Sequence, residues 1–135
     1  MAFLLALTLV LQAVPVEVTT ISRSSMSLVD STRQAAVRTP EEWTALWKEH
    51  SGARPAPPVD FAKVTVVAVF LGQRPTAGYG VEITGARKDG SALVVQWTET
   101  KPPADRMIAQ VISSPVHIAS IAKFAGEIRF EKVDK

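Results

Sequence analysis

Eight consecutive residues, Val64-Thr65-Val66-Val67-Ala68-Val69-Phe70-Leu71, limit the fold more than any other stretch. They are apolar or β-branched at both alternating parities, so a strand made from them offers water no face. Such a strand belongs in the middle of a sheet that is covered on both sides. The chain then enters Gly72-Gln73-Arg74-Pro75-Thr76-Ala77-Gly78-Tyr79-Gly80 and leaves as Val81-Glu82-Ile83. Gly72, Pro75, Gly78 and Gly80 together give more backbone control than a plain surface connection needs.

The rest of the chain supplies neighbours for that strand. Val16 to Ser22 alternates and is rich in β-branched residues, which predicts a strand, and Arg33 to Arg38 predicts a short second one. Tyr79, Val81 and Ile83 alternate with polar residues or glycine, as do Ile128 and Phe130 with Glu127, Arg129 and Glu131. Lys88-Asp89-Gly90 is a hairpin turn signal, and Leu93, Val95 and Trp97 continue beyond it. Met107 to Ile112 and Val116 to Ile121 read as two further strands, separated by Ser113-Ser114-Pro115. Short strands at this spacing predict a mainly β fold, an antiparallel β-sandwich or rolled barrel.

One helix is expected near residues 40–50. Thr39 suits the N-cap, Pro40 the first helical position, and Glu42 completes a capping box three residues after Thr39. Trp43, Leu46 and Trp47 form one apolar stripe. Three helical turns do not hold themselves together in water, so this stripe should anchor the helix on the sheet. His50, in the last turn, is expected to complement the helix dipole as a cation. The Pro-rich stretch 53–60 is too short to divide domains.

With 47% hydrophobic and 21% charged residues, the 135-residue chain can build one core. The absence of cysteine excludes disulfides, thiol catalysis and Cys-ligated metals. The net charge of +2 is scattered, with no basic patch of the kind that nucleic-acid binding uses. Residues 2–11 form an apolar run shorter than the ~20 residues that span a bilayer. This predicts a signal peptide over residues 1–13, export to the periplasm or extracellular space, no integral span after processing, and one domain over 16–135.

Reaction chemistry is not legible. The two histidines, His50 and His117, have no metal-ligand partner at short spacing. His117 lies in an apolar strand beside Pro115, where a hydrogen-bonded structural histidine is the ordinary outcome. The acidic residues Glu17, Asp60, Glu82, Glu99 and Asp105 fall one per segment, mostly at positions expected to face solvent. We therefore expect no catalytic residue, metal or other cofactor. The remaining candidate is the loop itself. Arg74, Pro75, Thr76, Gly78 and Tyr79 suit a protein-binding anchor, since Arg and Tyr are enriched at hot spots. They equally suit a structural corner in which Gly78 takes positive φ and Tyr79 packs inward.

Phe70-Leu71-Gly72, Arg74-Pro75-Thr76, Gly78-Tyr79, Val81-Glu82-Ile83 and Pro115-Val116-His117-Ile118 together resemble the PrcB family, in particular its C-terminal domain. The motif core lies at 60–132. Ala77 stands where the family has the first glycine of a pair, and Val116 where an aromatic residue is common. The resemblance implies a non-enzymatic accessory subunit that associates with and stabilises a protease complex. The loop is also similar to the Asn-Pro-Thr-Thr-Gly-Tyr loop of chagasin-type cysteine-protease inhibitors, with Arg74 in place of the Asn. This similarity implies, as an alternative, a protease inhibitor presenting residues 74–79.

Overall fold

The computed structural model describes residues 14–134; the expected signal peptide, 1–13, lies outside the described residues. Eight strands and one helix follow in the order β1 (Val14–Val16), β2 (Thr19–Ser24), β3 (Arg33–Val37), α1 (Pro40–Ser51), β4 (Val64–Phe70), β5 (Gly80–Asp89), β6 (Ala92–Thr100), β7 (Val116–Ala122) and β8 (Ile128–Lys132). One sheet runs β1-β5-β6-β8 and the other β2-β7-β4-β3. The two sheets stack as a sandwich, so the rolled-barrel alternative is set aside.

The double apolar parity of β4 has a direct cause. Val66, Ala68 and Phe70 pack toward the helix, in a cluster with Trp43, Leu46, Trp47, Val116 and Ile118. Val67 and Val69 of β4, with Leu71 just beyond it, pack toward the other sheet, against Val81, Ile83, Leu93, Val95 and Trp97. The sheet containing β4 is thus the middle of three layers, between α1 and the β1-β5-β6-β8 sheet. Residues Val66 to Leu71 have no exposed surface, and burying each of the Val, Phe and Leu side chains among them contributes roughly 1.5–3 kcal/mol.

Helix α1 forms where its caps predict. The Thr39 hydroxyl accepts from the Glu42 N–H at 3.2 Å and donates to the Glu42 carboxylate at 3.1 Å. The return bond of the box therefore goes to the hydroxyl. Gly52, at φ 65°, ends the helix and donates to the Lys48 carbonyl at 2.8 Å. The indole N–H groups of Trp43 and Trp47 donate to the Pro57 and Arg54 carbonyls, each at 3.0 Å. The Pro-rich connector is thereby strapped along the helix, and both tryptophans are spent on the core, as expected.

Two expectations need correction, and the antiparallel sandwich contains one parallel pair. Met107 to Ile112 is not a strand but irregular coil. β5 and β8 already flank β6, and β2 and β4 already flank β7, so neither neighbouring strand has a free side to receive it. The last strand is not antiparallel: β8 pairs with β6 in parallel. The chain leaves β7 in one sheet and crosses to the other, a connection that a tight hairpin cannot make. Finally, His50 does not serve as a cation at the helix end. It is buried, and its Nδ1 lies 2.8 Å from the Ser27 hydroxyl. Burial, reinforced by the charge of Arg54, holds its pKa below the ordinary value.

Candidate functional site

The loop after β4 begins with a close backbone approach. Gly72 has φ 80°, and a Cβ there would lie 2.7 Å from the Thr32 backbone nitrogen. Only glycine fits both the conformation and the space. The Thr32 hydroxyl closes this corner by donating to the Leu71 carbonyl at 2.7 Å, and Gln73 N–H donates to the Asp30 carbonyl at 3.0 Å.

Beyond the corner the loop is tied to the segment before β7. Arg74 N–H donates to the Ser113 carbonyl at 2.7 Å, and Ser113 N–H donates back at 3.0 Å. The Ser113 hydroxyl donates to the Thr76 carbonyl at 2.9 Å, and Ala77 N–H to the Ala109 carbonyl at 3.1 Å. Gly78, at φ 90°, approaches Pro102 so closely that a Cβ would sit 2.8 Å from that ring's Cβ. Residues 72–80 and 101–115 therefore form one end of the sandwich together.

Arg74 is not a free cation at the tip. Its Nε donates to the Glu99 carboxylate at 3.2 Å, whose other oxygen accepts from Lys132 Nζ at 3.1 Å. The Glu99 side chain is only 6% exposed. Burial by itself would raise its pKa; the hydrogen bonds and charges of Arg74 and Lys132 outweigh that and hold the carboxyl below its ordinary value. Lys132 also lies 5.5 Å from the Trp97 ring centroid. Glu99 thus departs from the expectation that it faces water. In β6 it shares the parity of Leu93, Val95 and Trp97, which all point into the sandwich.

The remaining loop residues divide between surface and interior. Pro75 and Gly78 are exposed, and Thr76 and Tyr79 are half-buried. Tyr79 lines a cavity of about 260 Å³ with Arg23, Ser24, Ser25, Gly80 and Val81. The strongest apolar exposure at this end comes from residues that were read as strand. Met107 is fully exposed, and Val111 and Ile112 more than half. The pair Pro102-Pro103 and the serines Ser113-Ser114 that bracket 104–112 are the sequence signal for a surface loop there.

Pro115 and His117 lie inside. Pro115 is buried, and its carbonyl accepts from Leu71 N–H at 2.9 Å. His117, on β7, reaches the opposite sheet: its Nδ1 accepts from the Ile83 N–H at 2.8 Å. Nε2 therefore carries the proton and donates to the Thr20 hydroxyl, also at 2.8 Å. Burial, then the charge of Arg23, lowers its pKa, with Glu82 opposing. Both ring nitrogens are used in joining β2, β7 and β5. The Ser113 hydroxyl, adjacent in sequence, is directed to Thr76 instead.

Residues 65–122 match the family described as PrcB C-terminal. The match runs from β4 to the end of β7 and includes both loops of this end of the sandwich. No curated protein and no solved structure matches the chain.

Proposed function

We propose, from the match of residues 65–122 to the PrcB C-terminal family, that this chain is an exported, non-enzymatic accessory domain that binds and stabilises a partner protein, with a protease complex as the candidate. The contact surface is the platform formed by 72–80 and 101–115. The observation that carries this reading is the fully exposed Met107, with Val111 and Ile112, on a segment fixed by backbone hydrogen bonds to the Arg74–Ala77 loop. Apolar groups held in place before binding lose little conformational entropy on contact. Pro75 is exposed on the tied loop, and Tyr79 lines a cavity with Arg23 at the loop's end.

Pull-down from an envelope fraction tests this, comparing wild type with Ile112→Asp and Tyr79→Ala, each with its fold checked by circular dichroism. Ile112→Asp should lose partner recovery; equal recovery from a folded variant would remove the platform from consideration. N-terminal sequencing of the exported protein should begin near residue 14, and an intact Met1 on a cytoplasmic protein would contradict export. The inhibitor reading needs a loop that enters a cleft alone. Residues 74–78 are instead tied to 102–113 along their length, which favours a broad surface over an inserting tip.

A further inference from the structure

β2 ends its sheet, so among the described residues its outer edge has no strand partner. Alternate residues of such an edge present N–H and C=O groups outward. Beside β2, on the helix side of its sheet, lies an open cleft of about 490 Å³, with Ser22 and Ser24 on one side. Trp47 of α1 and Arg54 of the connector form the other side, and Met26 and Leu28 complete the lining. The volume falls in the range of ligand sites. None of these residues belongs to the platform described above, and the inference does not rest on that reading.

Two features say what the cleft would take. Met26 and Leu28 are 65% and 67% exposed although they lie beside Trp47, an apolar surface left open to water. Arg54 is exposed, and among the described residues it forms no ion pair and donates no side-chain hydrogen bond. The neighbouring His50 is buried and turned to Ser27, so the positive charge at the cleft is that of Arg54. At the helix end, the Lys48 carbonyl accepts from Gly52 N–H and the His50 carbonyl from Leu28 N–H.

The geometry points to a peptide-binding cleft: an extended peptide adds to the outer edge of β2, lays an apolar side chain on Met26, Leu28 and Trp47, and places a carboxylate at Arg54. Backbone pairing supplies sequence-independent affinity in this mode, and the flanking side chains supply selection. The carboxylate can be a chain terminus or an acidic side chain, since Arg pairs with either in the same way.

Nuclear magnetic resonance titration with three tripeptides at millimolar concentration tests this. The probes are N-acetyl-Val-Leu-Val with a free carboxylate, the same peptide as its amide, and N-acetyl-Val-Glu-Val amide. At least one charged probe should move the amide signals of residues 19–24 and the Trp47 indole signal, and should bind roughly five- to tenfold more tightly than the uncharged amide. Which charged probe does so distinguishes the terminal from the side-chain carboxylate. Arg54→Gln should abolish the difference, and it retains the residue 54 carbonyl that accepts from Trp47. The proposal is overturned if no probe moves those signals, if charged and uncharged probes bind equally, or if Arg54→Gln binds like wild type.

Discussion

Replacing His117 with leucine cuts a side chain that hydrogen-bonds to both sheets, and the cost can be worked from its partners. The Ile83 N–H loses its acceptor at a buried site. An orphaned buried donor costs about 1–3 kcal/mol. Thr20 is exposed and can turn its hydroxyl to water, so the second bond adds little. Leucine is close to histidine in volume and recovers up to about 1 kcal/mol of apolar burial. The net loss at pH 7.5 should be near 2 kcal/mol, roughly 8 °C in Tm for a domain of this size. The pH dependence makes the test specific. The folded protein holds His117 below its ordinary pKa. Above about pH 6.5 both folded and unfolded histidine are neutral. As the pH falls below that, the unfolded chain takes up a proton that the folded one resists, and wild type loses stability until the pH passes the lower folded value. The leucine variant lacks this linkage at residue 117. His50 is depressed in the same direction, but it is present in both proteins and cancels in the comparison. The Tm gap, read by circular dichroism melts at pH 7.5 and pH 5, should therefore narrow on acidification. An unchanged gap, or a variant as stable as wild type at pH 7.5, would refute the linchpin role.

Two glycines of the same loop should behave in opposite ways. Gly72→Ala forces a Cβ against backbone at positive φ and should cost about 2–4 kcal/mol in urea unfolding. Gly80→Ala has no contact closer than 3.8 Å and no positive φ, so it should stay within about 1 kcal/mol. Glu99→Gln should destabilise by about 1–2 kcal/mol, discounted because Lys132 is half exposed and Arg74 about a quarter. If instead the variant melts with wild type at both low and high salt, Glu99 is not the loop's anchor.

The parts of this fold legible in the sequence are those where one local pattern has one physical outcome. The two-faced β4 required two covering layers, and Thr39-Pro40 with Glu42 marked the helix start. Gly78 does take the positive φ expected of a corner, and Gly72 takes one as well. Where a pattern has two outcomes, tertiary context decided. Met107 to Ile112 alternates as well as β7 does, but its sequence neighbours β6 and β7 are each already paired on both sides. His50 carried a dipole argument suited to an exposed histidine, and burial removed its premise. Glu99 was misjudged by type rather than position, since its parity with Trp97 already placed it inward. For the loop, the types that suggest a binding anchor are the same types that build a corner. Arg74 is used by the corner, and the exposed apolar groups came from the neighbouring segment.

Lys132 belongs to the last described strand, yet one of its contacts is the carboxylate that also holds Arg74. Before β8 docks, Glu99 has a single cation, and β6 lies at an open sheet edge of the kind that invites pairing with another chain. The parallel pairing of β8 with β6 closes that edge and brings Lys132 to Glu99 in one event. Edge protection and the anchoring of the Arg74 loop are therefore one cooperative step, and a change that loosens β8 weakens both together.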